Sequence, residues 1–300
     1  MKLKAQCENG VFVYLPEISD FSKKEIDFHN QIHQDEIDAH QLKTVRNKYY
    51  HDYFKKRLFN LPANSVILEI GSGNGFDLAR LVKNGRKLIA SDISFESIKL
   101  IKKTIDQNYY QFKNNLIYLV ADGQNLPLND NSVDAVFAVA TFHHFENPKA
   151  AFSEMRRVTK KGGLIILAME PSRFMMTFNR FFQNYKNLRL REVYSEADET
   201  HRGFSPADFL KFIDHDLPAA PKWILRLSQR GESIIKIKRI WLTLGFLHYG
   251  LEAIFRIFKL KKRLAAPRWL EWLLLGLDEV LLKIPLIKQL NWHLIIIIKN

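Results

Sequence analysis

Cysteine is nearly absent from this chain: Cys7 is the one thiol in 300 residues. A lone thiol closes no intramolecular disulfide, so the fold is not a disulfide scaffold and a reducing compartment suits it. Long apolar runs are missing as well. The longest stretch free of Asp, Glu, Lys and Arg is Ile240–Leu251, twelve residues, whereas a bilayer-spanning helix needs roughly 20. The start, Met1-Lys2-Leu3-Lys4-Ala5-Gln6, has no apolar core of a secretory leader, which makes the cytoplasm the expected location. Acidic residues are in deficit, 32 against 45 Lys and Arg, for a net charge of +13. Residues 216–300 hold 15 basic and 6 acidic residues, so +9 of that excess lies in the last third. Such a surface attracts nucleic acid, anionic lipid or phosphorylated substrates, or is simply a solvated basic face. What is abundant is apolar side chain: 47% of the residues, including 22 Phe and 5 Trp. That supply fills a large core and argues against pervasive disorder.

No repeat or low-complexity tract is evident. Residues 19–60 read as helical and amphipathic, with Ile26, Ile32, Ile37, Leu42, Val45 and Tyr49 near helical spacing, until Asn60–Asn64 breaks the pattern. From residue 65 short apolar runs alternate with helical stretches. Val66–Ile70, Lys87–Ser91, Leu116–Val120, Val133–Ala140 and Leu164–Met169 read as strands, with helices after the first, second and fourth and a turn at Gly162-Gly163. Uninterrupted apolar strands separated by helices mean an α/β, doubly wound, mostly parallel sheet covered on both faces, with ligands at the carboxyl ends of its strands. Beyond Pro171 the expected elements are a helix from Ser205-Pro206, a strand within Ser233–Leu242, two amphipathic helices over 246–285 and a final strand at Leu294–Ile298. The expected units are an N-terminal helical lid (1–60), a Rossmann-like ligand-binding domain (61–215), a helical cap (216–290) and the closing strand (291–300).

Chemistry concentrates after the first strand, in Leu68-Glu69-Ile70-Gly71-Ser72-Gly73-Asn74-Gly75. Glycine permits positive φ and close approach of backbone to a ligand, at the N-terminus of a helix whose first N–H groups are unpaired. The dinucleotide fingerprint is GxGxxG; here the spacing is GxGxG. Glu69, two residues earlier, would repel a pyrophosphate but suits a sulfonium or an ammonium. A structural turn without ligand is the alternative. Asp92 ends the second strand, 21 positions after Gly71, where a carboxylate accepts hydrogen bonds from ribose hydroxyls. It is otherwise a helix cap, a task for which Ser94 competes. Asp122-Gly123 ends the third strand. Glycines, ribose acid and adenine acid on three successive strand ends make an adenosine-shaped set.

These segments, with ADGQNLPLNDNSVDAVFAV, TFHHF and SEMRRVTKKGGLIIL following in order, resemble the successive motifs of class I methyltransferases of the ubiquinone-biosynthesis-like (type 11) group. The resemblance covers residues 65–170. Pro171-Ser172-Arg173, the Ser205 helix and the closing HLIIIIKN are similar to members acting in cell-envelope or lipid metabolism. One departure is Lys160-Lys161-Gly162-Gly163, where the group has a proline before the glycines. The resemblance implies a seven-stranded sheet with an antiparallel last strand and S-adenosylmethionine as co-substrate. It also implies a site of Glu69, Gly71, Gly73, Gly75, Asp92, Ile93, Asp122, Gly123 and Ala140, in which Ile93 packs on adenine and Asp122 reads its amino group.

Methyl transfer needs alignment in a dry cleft, and a base only where the acceptor must lose a proton. Thr141-Phe142-His143-His144-Phe145 follows the fourth strand, so His143 and His144 are the candidate catalytic residues, or merely shape the loop. His29 and His33, spaced four apart on a helix with His40, Asp35, Glu36 and Asp38 nearby, have a ligand-compatible spacing. They are nonetheless ordinary for an exposed helix, and no metal is expected. The acceptor is read as a small or lipid-linked molecule. Residues 239–293 mix Trp, Phe and Leu with Arg and Lys, as in helices lying at an anionic membrane interface, or as a core cap. A nucleic-acid partner has no motif in support. A nicotinamide-dependent oxidoreductase and a non-catalytic, membrane-associated protein of the same fold are the rival functions.

Overall fold

The structure, a computed structural model, describes residues 5–16, 18–27, 45–82, 86–178, 202–213, 234–258, 260 and 264–300. Nine strands form one sheet: β1 (Gln6–Glu8), β2 (Val11–Tyr14), β3 (Val66–Ile70), β4 (Lys87–Asp92), β5 (Leu116–Ala121), β6 (Val133–Val139), β7 (Thr159–Pro171), β8 (Ile234–Ile240) and β9 (His293–Lys299). Their order is β1-β2-β5-β4-β3-β6-β7-β9-β8. The run from β2 to β7 is parallel, while β9 lies antiparallel between β7 and β8. The order reverses between β4 and β6 around β3, which opens a crevice at the carboxyl ends of these strands.

Period-two geometry explains why the strands are apolar throughout. Successive side chains leave a strand on opposite faces. Ile67, Leu88, Val120, Phe137 and Ile166 enter one core cluster, and their neighbours Leu68, Ile89, Leu119, Val136 and Ile165 enter the other. The first cluster is closed by α2 (Val45–Phe59), α3 (Phe76–Val82), α4 (Phe95–Asn108), α7 (Thr243–Ile257) and α8 (Arg268–Leu281). The second is closed by α5 (Pro148–Val158) and α6 (Pro206–Ile213). A further helix, α1, covers residues 20–27. Tyr50, Phe54 and Leu58 recur every fourth residue on α2 and are fully buried. Each burial of that kind is worth about 1.5–3 kcal/mol.

Three features depart from expectation. The sheet has nine strands and not seven, because residues 6–14 of the expected helical lid form a hairpin. Its turn, Asn9-Gly10, has positive φ at both positions (51° and 78°), as a two-residue hairpin turn requires. The fifth strand also starts earlier. Thr159–Pro171 is continuous through Lys160–Gly163, and the expected turn is absorbed as a register break between Val133 and Ala135 on the neighbouring strand. Finally, helix in the 19–60 segment is seen over residues 20–27 and Val45–Phe59. His29, His33, Asp35, Glu36, Asp38 and His40 lie outside the described residues.

Candidate functional site

The strand ends surround one cavity of about 580 Å³. It is lined by Glu69, Gly71, Gly73, Asp92, Ile93, Asp122, Gly123, Ala140, His143 and His144. The structure thus brings together every expected site residue except Gly75.

The glycines differ in what they do. All three of the β3–α3 turn have positive φ, at 67°, 49° and 74° for Gly71, Gly73 and Gly75. A Cβ on Gly71 would lie 2.1 Å from the Thr141 methyl, and one on Gly75 would lie 2.9 Å from Ile101. Both positions therefore make room for the protein's own packing. A Cβ on Gly73 would meet nothing within 4 Å, so this residue leaves space in the cavity itself. Gly123 is again a packing glycine, since its Cβ would sit 2.7 Å from the Phe145 ring.

Asp92 clamps the turn. One oxygen accepts the Gly73 N–H and the other the Ser94 N–H, each at 2.9 Å. Ser94 is the cap of α4 and accepts from Ser97 N–H, which leaves Asp92 to the cavity and not to the helix. A carboxylate has about four lone-pair sites, so both oxygens retain acceptor capacity. Asp122 accepts the Gln124 N–H at 2.8 Å and the Gln124 amide on both oxygens, while Gln124 Oε1 accepts from Asn147 N–H. The turn after β5 is thereby fixed to the cap of α5.

Behind the glycines lies a buried charge cluster that the sequence did not reveal. The same oxygen of Asp77 that sits 2.9 Å from His51 Nδ1 is ion-paired with the fully buried Lys55 Nζ. Burial pushes the Asp77 carboxyl up, but His51 and Lys55 outweigh it and hold the group well below the usual range. Glu69 goes the other way: burial, then the charge of Asp77, raise its carboxyl well above the usual range despite the opposing Lys55. Glu69 Oε2 is buried and has no hydrogen-bond partner among the described residues. An acidic oxygen without a partner, beside an open glycine, is suited to a ligand's cationic group.

The opposite wall comes from the loop after β6. Ala140, at φ 50°, donates its N–H to Ala168 and turns the chain back across the cavity. Glu170, at the end of β7 and fully buried, organises that loop. Its carboxylate accepts the N–H groups of Thr141, Phe142 and His143 at 3.0–3.2 Å and lies 3.0 Å from His143 Nδ1. Burial raises the Glu170 carboxyl to about 7, against the downward pull of these donors. His144 Nδ1 lies 2.9 Å from Glu25 of α1, and the two imidazoles stack at 4.1 Å between centroids. Each histidine thus has Nδ1 at a carboxylate. A carboxylate only accepts, so the proton belongs on Nδ1 and the basic nitrogen of the neutral ring is Nε2. The remaining wall is largely apolar, with Phe21, Met169, Met175, Met176 and Trp241. Among the described residues no cluster of three or more metal-ligating side chains occurs.

A family described as methyltransferase domain matches residues 68–167, from β3 to β7. Residues 68–167 thus match a methyltransferase domain, on a fold shared with S-adenosylmethionine-dependent methyltransferases. The ubiquinone/menaquinone biosynthesis C-methyltransferase of Rickettsia felis is 30% identical over 158 residues, 50% of this chain and 61% of that protein. The demethylmenaquinone methyltransferase of Renibacterium salmoninarum is 26% identical over 203 residues, 67% of this chain and 77% of that one. Among solved structures, a methyltransferase of Thermotoga maritima titled a possible histamine N-methyltransferase matches the fold with a TM-score of 0.50. It is 16% identical, over 91% of this chain and 98% of that one. The chain spans 61% of the Rickettsia relative's length. Glu170 was within reach of the sequence, as an acid ending a parallel strand. Lys55 was not, because nothing in a helix with several lysines marks one as buried.

Proposed function

We propose that this chain transfers the methyl group of S-adenosylmethionine to a small or lipid-linked acceptor that gives up a proton in the reaction. Gly73 would accommodate the methionine part beside the backbone of Gly71, Glu69 its cationic end, Asp92 the ribose hydroxyls, Ile93 and Asp122 the adenine. The donor supplies a methyl on a sulfonium, which departs as a neutral thioether, so the leaving group needs no acid. The protein's tasks are to align the two substrates, to exclude water and to receive the acceptor's proton. Alignment alone accounts for about 7–11 kcal/mol of barrier at best. Nε2 of His143 or His144 receives the proton, the positive ring being stabilised by Glu170 or Glu25 respectively.

The observation that carries this reading is the pair Gly73 and Glu69: an open glycine next to a buried acid whose Oε2 has no hydrogen-bond partner among the described residues and whose carboxyl is raised well above its ordinary range. A cationic group placed there would favour ionisation of Glu69, whereas a pyrophosphate would oppose it, which disfavours a nicotinamide-dependent oxidoreductase. The apolar wall of Met169, Met175, Met176 and Trp241 suits a greasy acceptor, and the two curated relatives are named for quinone biosynthesis. We read the acceptor as an apolar molecule with an acidic hydroxyl or ring carbon, met at the inner face of a membrane. Release of S-adenosylhomocysteine across a panel of prenylated phenols and quinols tests this. Turnover should fall by about 100-fold or more in His143→Ala or His144→Ala, the span of general base catalysis. Unchanged turnover in both variants would remove the base, and no turnover with any acceptor would favour a non-catalytic role.

A further inference from the structure

Helix α8 is inside out. An amphipathic helix on a globular protein buries its apolar stripe and exposes its polar one. On α8 the residues at helical spacing that face solvent are Trp269, Trp272, Leu273, Leu277 and Val280, with side chains 42–68% exposed. Leu286, just beyond, is 80% exposed. The inward positions include two acids, Glu271 and Asp278, which are 2% and 0% exposed. Both serve as anchors. Glu271 accepts the Val45 N–H at 2.9 Å at the start of α2, and its other oxygen lies 2.9 Å from His248 Nε2. Asp278 accepts the N–H groups of Leu242 and Thr243 at 3.0 and 2.7 Å and the Thr243 hydroxyl at 2.6 Å. These bonds cap two helices and set the rotation of α8, so the outward apolar face is imposed by specific contacts and not left over from loose packing.

Charge decides what covers this face. The acids of residues 264–300 are Glu271, Asp278 and Glu279. The first two are buried, and the third is ion-paired with Lys238 at 2.6 Å. The exposed charges flanking the stripe are therefore basic: Arg268 at one end and Lys283 at the other. The sequence adds Lys259, Lys261, Lys262 and Arg263 just before the helix. A second copy of this face would bring like charges together across an apolar contact. An anionic lipid surface would attract these basic residues and receive the Trp and Leu side chains at its interface. Among the described residues no helix is long and apolar enough to cross a membrane.

We infer that the outward face of α8 docks the protein on the surface of an anionic lipid bilayer, with the helix lying in the interface plane. The anchors give the docking a purpose. Asp278 fastens the residues directly after Trp241, and Glu271 fastens the helix that carries Asn47 and His51; all three of these residues line the cavity. The bilayer would then lie against the acceptor side of the site. This route for a lipid-linked acceptor rests on the proposed reaction, whereas the docking itself does not.

The test is co-sedimentation of the full chain with phosphatidylcholine vesicles, with and without phosphatidylglycerol. The wild type should pellet with the anionic vesicles and stay in solution with the neutral ones. A variant combining Trp269→Ser, Leu273→Ser and Val280→Ser should lose more than about tenfold in partitioning, with its thermal midpoint and S-adenosylhomocysteine affinity unchanged. Arg268→Gln with Lys283→Gln should weaken the anionic dependence alone. A wild type that stays in solution, or a triple variant that pellets equally, overturns the docking. So does a wild-type dimer, seen by ultracentrifugation, that the triple variant dissolves, because a second copy would then cover the face. Vesicle binding without any S-adenosylhomocysteine binding would leave the docking standing and sink the proposed reaction.

Discussion

Substituting alanine for each glycine of the β3–α3 turn in separate variants separates ligand space from packing space. Each substitution forces a Cβ into a left-handed backbone (φ 67°, 49° and 74°), at about 1–2 kcal/mol. Gly71→Ala adds a clash with Thr141 at 2.1 Å, and Gly75→Ala one with Ile101 at 2.9 Å. Overpacking of that kind costs about 1–3 kcal/mol more. Gly73→Ala meets no protein atom within 4 Å, so only the backbone term applies. In a protein of this size 1 kcal/mol moves the thermal midpoint by roughly 2–4 °C. The expected midpoint losses are therefore about 2–8 °C for Gly73→Ala and roughly 4–20 °C for the other two. Calorimetric affinity for S-adenosylhomocysteine should run in the opposite order at low temperature. Gly73→Ala should lose at least about tenfold, or 1.4 kcal/mol, and Gly75→Ala should bind nearly as the wild type while folded. A Gly73→Ala variant that binds normally, or a Gly75→Ala variant that loses affinity without losing stability, would refute the division of roles.

Glu170 should leave a signature in stability. Its folded carboxyl is raised to about 7 from an ordinary 4.5, so its contribution is complete below pH 4.5 and declines as the pH rises toward 7. The urea stability of the wild type relative to Glu170→Gln should fall across that window and level off above it; a constant difference would contradict the burial argument. Lys55→Met strips the buried lysine from Asp77, leaving His51 as its other partner, and should cost about 3–5 kcal/mol, partly restored by adding Asp77→Asn. A loss below about 1 kcal/mol in the single variant would mean that His51 alone balances Asp77.

Much of the architecture was legible because two signals agreed. Strands β3 to β6 are short continuous apolar runs, and each feeds a turn or helix whose start is marked by Gly, Ser94 or Asn147-Pro148. The set of Gly73, Asp92, Asp122, His143 and His144 followed from the rule that ligands gather at carboxyl ends of parallel strands. The hairpin of β1 and β2 escaped notice although Asn9-Gly10 is a strong turn signal, because strands of 3 and 4 residues carry too little pattern. The continuous β7 was hidden by Lys160–Gly163, which reads as a turn and is instead an irregularity the neighbouring strand accommodates. Buried charges were hidden for a different reason. Lys55, Asp77, Glu271 and Asp278 each look like surface residues in a linear pattern, and only tertiary partners make their burial tolerable. For the same reason the amphipathic pattern of α8 was visible, but not that its apolar side turns outward.

One cavity, opened by Gly73 and gripped by Asp92, is proposed to hold the adenosyl donor. Titration calorimetry of the wild type and of Asp92→Ala with S-adenosylhomocysteine, and separately with NADH, tests it most directly. The wild type should give saturable heat with S-adenosylhomocysteine and none with NADH, and the variant should bind S-adenosylhomocysteine at least tenfold more weakly. Heat with NADH, or equal S-adenosylhomocysteine affinity in both proteins, would contradict it.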